Sequence, residues 1–393
     1  MIGTEQAVGV IGAGTMGAGI AQIAATQGHK VVVCDSNRDM LSKLKPGLEK
    51  IFSRLIEKGR MTAADSQAAL ERIALAESPS QCADCALVIE AIVENVDVKQ
   101  NVFKQLEAVV SETTLLASNT SSLPISEIAA ACERPERVLG IHFFNPAPLL
   151  PLVEIVPGLL SSKSAVESAK QTIDAWGKTT VLAKDTPGFI VNRIARPYYG
   201  EALRIFEEGA ATPATIDWAM KELGGFKMGP FELMDLIGND INNKVSETVF
   251  AAFYFDPRYR PSLYQKRLVQ AGLLGRKSGR GFYDYSEGAE KPEAVKDEGL
   301  GNSILFRIVS MLINEAADAL FWGVASAGDI ELAMTKGVNY PKGLLRWGDE
   351  LGPENVLKEI ETLQHRFGED RYRPSPFLRA QVEQSEPLLG TTC

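Results

Sequence analysis

The stretch VGVIGAGTMGAGIAQIAAT, residues 8–26, decides the fold of the amino-terminal part of this chain. Its apolar start predicts a buried strand, its end predicts a helix, and the turn between them has the spacing GxGxxG. Gly12 allows a tight turn, Gly14 lets the backbone approach a pyrophosphate, and Gly17 lets helix and strand pack closely. This order predicts the opening of a Rossmann fold that binds a dinucleotide.

A carboxylate stands where the second strand is expected to end. Asp35 follows Gly17 by 18 residues, where an acid accepts hydrogen bonds from the adenosine ribose and repels a 2′-phosphate. The helix expected at 18–26 offers free amides to an anion, and Thr15 and Met16 of the preceding turn are further candidates to bind the cofactor. These residues predict NAD as the cofactor, although Arg38 is near enough in sequence to receive a 2′-phosphate. A glycine-rich turn that binds no dinucleotide is the alternative.

The composition indicates a soluble protein of more than one domain. The chain has 393 residues, of which 45% are hydrophobic and 23% charged, and this length exceeds one ordinary core. The net charge of −9 disfavours nucleic acid or an anionic membrane as partner, whereas an anionic substrate needs only a local basic patch. No stretch reaches the roughly 18 apolar residues of a membrane span.

Cysteine usage indicates a reducing compartment. The odd number of cysteines and the lack of a signal-peptide pattern predict free thiols and a cytoplasmic location. Two of them form a CxxC pair, which we interpret as structural because a zinc site needs a second pair or nearby histidines; we expect no metal. The cysteines are Cys34, Cys82, Cys85, Cys132 and Cys393.

Strand-like runs alternate with helical stretches through residues 1–185. This βαβ rhythm is typical of an α/β domain with a doubly wound, mostly parallel sheet. A charged helical insertion interrupts it at about residues 37–70, with Gly59 at the expected turn between two helices. The strand-like runs are 7–11, 30–34, 87–91, 115–118 and 138–143.

The rest of the chain predicts an all-α region made of two duplicated helical modules. The modules are expected at 186–285 and 304–393, joined by a charged linker at 286–303. Residues 193–238 match residues 307–352 in one unbroken register, at an offset of 114 residues. Asn192 falls opposite Phe306, so the second copy lacks this polar group. Matched pairs include Ile194 with Ile308, Glu201 with Glu315, Met220 with Met334, and Gly238 with Gly352.

Of the three histidines, only His142 has a setting that indicates catalysis. His29 precedes the second strand and is expected at a surface turn, and His365 is expected on a solvated helix. His142 ends an apolar run, at the strand end that faces the cofactor crevice. Glu154 lies among the apolar residues LVEIV, where a carboxylate needs a partner. A histidine base oriented by this acid would take a hydroxyl proton as hydride leaves carbon; a structural His–Glu bond is the alternative.

Longer motifs resemble those of the L-3-hydroxyacyl-CoA dehydrogenases. The motifs are SNTSS at 118–122, HFFNP at 142–146, DTPGFIVNR at 185–193, MGPFEL at 228–233 and GRKSGRGFY at 275–283. The resemblance resumes in the second module, from NYP at 339–341 to RYRP at 371–374. It implies NAD-dependent oxidation of a (3S)-3-hydroxyacyl-CoA to the 3-oxoacyl-CoA.

The resemblance also implies roles for single residues. His142 is the general base and Glu154 its partner. Ser121 and Asn192 hydrogen-bond the reacting oxygen and position the acyl group; capping of a helix or turn is the alternative for both. Active-site support comes from Asn145, and residues near the nicotinamide half of the cofactor are Glu94 and Lys99.

Coenzyme A carries phosphates, and the helical insertion supplies cations. Lys50, Arg54 and Lys58 are spaced four apart and share one helical face. The resemblance implies that CoA binds against this helical hairpin, with Lys58 matching a CoA-contacting lysine. An ordinary solvated charged face is the alternative.

The two-module arrangement most resembles the 3-hydroxyadipyl-CoA dehydrogenases of phenylacetate degradation. The short linker departs from that subgroup, whose members commonly carry a longer segment between the modules. Arg258 and Arg260 are candidates to meet a terminal carboxylate, or else neutral surface residues. A 3-hydroxybutyryl-CoA or general fatty-acid β-oxidation dehydrogenase is the alternative within the family.

Other classes of function stay open at this stage. One is a dehydrogenase of free hydroxy acids, which uses a lysine of its helical domain; another is a non-catalytic NAD-binding protein. Single-module family members pair through their helical domains, so we expect a homodimer. The duplicated module could instead supply that contact within one chain, as a monomer.

Overall fold

The computed structural model describes residues 1–390 and divides into two compact units, Met1–Phe189 and Ile190–Cys393. Cys393 therefore lies outside the described residues. The division falls four residues after the boundary expected from the sequence. Within residues 1–390, no helix is both long enough and apolar enough to cross a membrane.

The first unit is built on one eight-stranded sheet. Its strands are β1 (Ala7–Ile11), β2 (Val31–Cys34), β3 (Ile73–Ala76), β4 (Cys85–Glu90), β5 (Leu115–Ser118), β6 (Val138–Phe143), β7 (Leu152–Pro157) and β8 (Thr179–Leu182). They lie in the order β3-β2-β1-β4-β5-β6-β7-β8. All neighbours pair in parallel except β6 and β7, which are antiparallel. This order reverses between β1 and β4, as in a Rossmann fold, so the predicted doubly wound, mostly parallel sheet is confirmed.

Five strands lie where the sequence predicts them, and three were not predicted. The edge strands β3 and β8 have only four residues each; β3 is apolar throughout, and β8 begins with two threonines. Strand β7 is apolar, but Glu154 interrupts it and prolines flank it. Runs of four residues, and a run interrupted by an acid, are too short to be assigned as strands by their pattern alone.

Helices cover the sheet of the first unit. They are α1 (Thr15–Thr26), α2 (Arg38–Glu57), α3 (Ala63–Glu71), α4 (Val96–Glu107), α5 (Ile125–Ala129) and α6 (Lys163–Ala175). The predicted hairpin is α2 and α3, and Gly59 in the turn between them has a φ of +64°. Helix α2 buries an apolar stripe spaced three and four residues apart, formed by Leu41, Leu44, Leu48 and Phe52.

Alternating residues of the strands supply two apolar layers, one on each face of the sheet. Val8 and Val10 belong to one buried cluster, whereas Ile11 and Val88 belong to the other. A parallel sheet covered on both faces needs such strands, because neither face meets water. The two layers hold rigid the strand ends at which the candidate site residues lie.

The prediction of a surface position for His29 is wrong. Its side chain is buried, and Nε2 accepts a hydrogen bond of 3.0 Å from Nε1 of Trp176. Its Nδ1 lies 3.1 Å from the carbonyl oxygen of Gln6. Trp176 follows α6, 147 residues away in the chain, so no local pattern around His29 indicates this contact. His365 is exposed on a helix, as predicted.

The second unit is helical. Its helices are α7 (Val191–Ile194), α8 (Arg196–Glu207), α9 (Pro213–Trp218), α10 (Pro230–Ile237), α11 (Asn239–Ala252), α12 (Leu263–Gln270), α13 (Glu298–Phe321), α14 (Ala327–Leu332), α15 (Leu344–Leu351), α16 (Pro353–Phe367) and α17 (Pro376–Gln384). Two π-helical turns, Ala219–Leu223 and Ala333–Gly337, extend α9 and α14.

The duplication predicted from the sequence is confirmed element by element. Helices α14, α15 and α16 each begin 114 residues after α9, α10 and α11, and the two π-helical turns keep the same offset. The equivalent glycines Gly238 and Gly352 both precede a helix with positive φ, +102° and +86°. Conserved spacing of such irregular features points to two copies of one unit rather than chance agreement.

Two buried ion pairs connect the two modules, and each module supplies the arginine of one pair. Arg193 of the first module donates to Glu315 of the second at 2.7 Å, and Arg307 of the second donates to Glu201 of the first at 2.7 Å. The two pairs occupy equivalent positions, since the offset of 114 residues relates Arg193 to Arg307 and Glu201 to Glu315. The contact of α7 and α8 with α13 is therefore pseudo-symmetric, as in a dimer built within one chain.

The interpretation of Arg258 as a surface residue is wrong. Its side chain is buried and its Nη1 lies 3.0 Å from Asp318 and 3.3 Å from Glu315. These acids are on α13, more than 50 residues away, so the sequence around Arg258 does not reveal them. Arg260 is exposed, as a surface arginine is expected to be.

Candidate active site

Three glycines shape the turn between β1 and α1. A Cβ atom on Gly17 would lie 1.8 Å from the carbonyl oxygen of Gly12, so only glycine allows this packing of helix on strand. Gly12 has a φ of +107°, and a Cβ there would lie 2.5 Å from the carbonyl oxygen of Ala91. A Cβ on Gly14 would meet no atom within 4 Å. Gly14 thus leaves open space above the turn, where a pyrophosphate can approach.

The amino terminus of α1 is suited to an anion. No side chain caps it, so its first amides point toward the space above Gly14. Thr15 is exposed and Met16 half-buried at this end. The residues present therefore fit the diphosphate of a dinucleotide.

Asp35 also makes hydrogen bonds within the protein that the sequence did not indicate. Its Oδ2 accepts a hydrogen bond of 2.7 Å from the amide of Ala13, and its Oδ1 accepts one of 2.8 Å from the amide of Asn37. The carboxylate thus ties the glycine-rich turn to the end of β2. Arg38 donates to Glu77 at 2.7 and 3.1 Å; because both side chains are exposed, this pair is weak.

His142 and Glu154 lie directly opposite each other in the antiparallel pair of β6 and β7. Nδ1 of His142 lies 2.7 Å from Oε2 of Glu154, and the two residues are 5% and 0% exposed. Since a carboxylate only accepts, Nδ1 carries the proton and Nε2 is the basic nitrogen of the neutral ring. The rings of Phe144 and Phe189, centred 4.4 and 5.8 Å away, hold the imidazole in an apolar setting.

The carboxylate of Glu94 organises the turn that carries Ser121. Its Oε1 accepts hydrogen bonds from Thr120 Oγ1 at 2.5 Å, Ser122 Oγ at 3.0 Å and the amide of Ser121 at 3.2 Å. Burial raises the pKa of Glu94, but Lys99 and the two hydroxyls outweigh it and hold the pKa below its usual range. The turn is thus built around an ionised acid.

Lys99 links Glu94 to a second acid that sequence reasoning missed. Its ammonium is 1% exposed, and it lies 3.3 Å from Glu94 and 2.6 Å from Glu90. Glu90, at the end of β4, also accepts from Ser118 Oγ at 2.6 Å and from the amide of Ile92 at 2.7 Å. A signal existed in the sequence, because Glu90 ends the apolar run CALVIE, where an acid needs a partner.

Three neighbouring strands bring these groups to one edge of the sheet. Glu94 follows β4, Ser121 follows β5, and His142 is the second-last residue of β6. Asn119 binds β5 to β6 there, because its Oδ1 accepts a hydrogen bond of 2.8 Å from the amide of Phe143. The arrangement places an oriented imidazole and a hydroxyl-bearing turn at the carboxyl edge, where doubly wound sheets bind ligands.

Comparison with known proteins identifies the family. Residues 7–186 match the model of the 3-hydroxyacyl-CoA dehydrogenase NAD-binding domain, and residues 188–285 and 304–389 match that of the C-terminal domain. The chain belongs to the 3-hydroxyacyl-CoA dehydrogenase family. It is an NAD-binding dehydrogenase of this family, and its C-terminal domain occurs twice.

Two relatives and one solved structure illustrate the match. The chain is 39% identical to 3-hydroxyadipyl-CoA dehydrogenase of Escherichia coli (strain K12), over 96% of this chain and 97% of the relative. It is 43% identical to human mitochondrial hydroxyacyl-coenzyme A dehydrogenase, over 71% of this chain and 90% of the relative. The crystal structure of 3-hydroxybutyryl-CoA dehydrogenase from E. coli K12 superposes with a TM-score of 0.91 at 38% identity, covering 97% and 98% of the two chains.

The first relative contains residues that this dehydrogenase lacks. Their alignment extends over 462 positions, whereas this chain has 393 residues. The difference agrees with the short linker noted in the sequence, although it does not locate the extra residues.

Several other predicted site residues are described here one by one. Asn145 is exposed beyond the end of β6. Asn192 belongs to the second unit, half-buried in α7, where its carbonyl oxygen accepts a hydrogen bond of 2.9 Å from Nε of Arg196. The cations of the α2 face are exposed, as a CoA-binding face requires, and they are Lys50, Arg54 and Lys58. The roles of all five residues stay predictions.

Proposed function

We propose that His142 is the general base with which this dehydrogenase oxidises a (3S)-3-hydroxyacyl-CoA to the 3-oxoacyl-CoA. The observation that carries this proposal is the buried His142–Glu154 pair at the carboxyl edge of the sheet, with a contact of 2.7 Å. When bound, NAD supplies the acceptor for the hydride that leaves the substrate carbon. Nε2 of His142 takes the hydroxyl proton, and Glu154 stabilises the imidazolium through Nδ1–H.

The cofactor in this proposal is NAD rather than NADP. Asp35 presents its charge at the end of β2, and its contact with the amide of Ala13 keeps it there. A 2′-phosphate would meet this carboxylate, whereas the exposed pair of Arg38 with Glu77 is too weak to decide the preference by itself. We therefore expect the ratio of kcat/KM for NAD and NADP to favour NAD, and Asp35→Asn to reduce this ratio.

The substrate in this proposal is 3-hydroxyadipyl-CoA. The E. coli relative of that name matches both helical modules of this chain. We expect CoA to bind at the exposed cations of the helical hairpin, which are Lys50, Arg54 and Lys58. Because Arg258 is engaged by Glu315 and Asp318, it does not serve as the cation for a terminal carboxylate. A 3-hydroxybutyryl-CoA substrate is the second candidate, since the solved structure that covers nearly the whole chain carries that name.

Two measurements test the proposal. His142→Gln should lower kcat by about 10²- to 10⁴-fold while NAD still binds, and His365→Gln, at an exposed histidine, is the matched control. Near-normal turnover of His142→Gln would refute the base assignment. A kcat/KM comparison of 3-hydroxyadipyl-CoA, 3-hydroxybutyryl-CoA and the free 3-hydroxy acids decides the substrate; preference for a free acid would exclude a thioester dehydrogenase.

The assembly and the location of this enzyme follow from weaker signals. The homodimer expected from the family stays a prediction, which sedimentation of the full chain tests. The ion pairs exchanged by Arg193 and Arg307 support the alternative that one chain supplies the contact between helical domains. The cytoplasmic location stays a prediction from cysteine usage.

A further inference from the structure

A small cavity in the second unit is walled largely by arginine. It lies among α8, α11, α12 and α13, and has a volume of about 20 Å³. A volume of this size holds one water molecule or one small ion. The charged residues of its wall are Arg196, Arg258, Arg260, Arg371 and Glu201. The wall thus carries four positive charges and one negative charge.

Two of these guanidinium groups are buried with little compensating charge. Arg196 is 9% exposed, and within residues 1–390 it donates to neutral groups, the carbonyl oxygen of Asn192 at 2.9 Å and Ser246 Oγ at 3.2 Å. Arg371 is 5% exposed, and its single carboxylate contact within residues 1–390 is Glu369, 3.6 Å from Nε. An arginine stays protonated in a protein, so both charges persist although the side chains are largely buried.

The wall also offers hydrogen-bond donors that the protein does not use. Nε of Arg258 and Nε of Arg371 are enclosed, and within the described chain neither has a hydrogen-bond partner. Leaving a buried N–H unsatisfied costs about 1–3 kcal/mol. The two arginines occupy equivalent turns of the two modules, Pro257–Tyr259 and Asp370–Tyr372. Both arginines line the cavity, one from each copy.

Two other buried arginines of this unit, Arg193 and Arg307, are paired with carboxylates. Burial lowers the pKa of Arg193 and Arg307, but their carboxylate partners outweigh it and raise the pKa above its usual range. For Arg196 and Arg371, burial prevails and the pKa is lowered. The deficit of negative charge is thus local to this cavity.

We propose that the cavity binds one small monovalent anion of the chloride class, held by the charges of Arg196 and Arg371 and by the Nε–H donors of Arg258 and Arg371. A volume of about 20 Å³ suits one small ion better than a carboxylate or phosphate ligand, and the positive wall favours an anion. Because the two arginines come from both modules, the anion ties the two copies together. This proposal does not depend on the proposed function.

Crystallography of the wild-type chain tests the site directly. Crystals grown in sodium bromide should show an anomalous difference peak within hydrogen-bond distance of Nε of Arg258 and Nε of Arg371. A cavity that holds only water, with no anomalous signal, would overturn the proposal. This readout needs no variant, so it does not depend on a mutant that folds.

Thermal unfolding tests the same site in solution. At constant ionic strength, replacing gluconate by chloride should raise the Tm saturably by about 3 °C. Arg371→Met should remove this dependence, whereas Arg267→Met, at an exposed arginine of α12, should retain it. The same Tm in both salts, or an equal chloride response in the two variants, would contradict the proposal.

Discussion

Replacing Glu154 by glutamine isolates the charge behind the proposed base. In the wild-type chain, Nδ1 of His142 lies 2.7 Å from Oε2 of Glu154. Glutamine has almost the same shape, and its carbonyl oxygen can still accept this hydrogen bond. The ring should therefore keep its orientation. What is lost is the attraction between the carboxylate and the imidazolium that forms when the base takes a proton.

The size of this loss follows from the geometry. For a contact of 2.7 Å between Nδ1 and Oε2, the centres of the two charges lie about 4 Å apart, which at an effective dielectric constant of about 20 corresponds to about 4 kcal/mol. The neutral hydrogen bond that remains returns about 1 kcal/mol. A net loss of about 3 kcal/mol corresponds to a kcat lower by about 10²-fold.

The assay follows NADH absorbance with a 3-hydroxyacyl-CoA substrate at saturation. NAD affinity and Tm should be measured in parallel, to separate lost catalysis from lost structure. Glu167→Gln, at an exposed acid of α6, is the matched control and should keep wild-type kcat. A kcat for Glu154→Gln within about threefold of wild type, with unchanged NAD binding, would refute the reasoning.

Three other changes test the packing and the charges. Trp176→Phe removes the donor to Nε2 of His29 and should lower the free energy of unfolding in urea by about 1 kcal/mol; an unchanged value would mean that water replaces it. Arg307→Met leaves Glu201, 1% exposed, without its cation and should cost about 3–5 kcal/mol in the same assay, and a cost below about 1 kcal/mol would count against the exchanged pairs. Burial raises the pKa of Glu94, but its cationic and hydroxyl partners hold that pKa below 4.5. The ionised acid therefore stabilises the fold above pH 4.5. This stabilisation is lost as the pH falls through the pKa of the folded state. Between about pH 7 and about pH 4, Glu94→Gln should therefore lose less stability than wild type, and an equal loss would contradict the assignment.

Much of the fold was predictable because its signals are local. The turn at Gly12–Gly17 needs only the residues that form it, since a side chain at Gly17 would collide with the carbonyl of Gly12. The duplication was predictable for the same reason, because the two modules repeat the same residues at the same spacing. Gly238 and Gly352 are one such pair. Edge strands such as β3 have only four residues, so pattern alone did not reveal them.

The candidate site was predictable in its residue types but not in its contacts. His142 and Glu154 are 12 residues apart, and an acid among apolar residues already indicated a partner for the histidine. Glu90 was missed although it ends an apolar run, because its partners Lys99 and Ser118 are identified only by the fold. His29 was misplaced, since the tryptophan that buries it lies 147 residues away.

The sequence by itself determined the class of fold, the dinucleotide-binding domain, the repeated helical module and the chemistry expected of His142, because each rests on residues close together in the chain. Only the tertiary structure decided which charges are partnered. It set Glu154 opposite His142 through an antiparallel pair, it engaged Arg258 in ion pairs with α13, and it left Arg371 beside a cavity with unused donors. Electrostatic energies depend on distances and burial across elements, and these exist only once the chain has packed.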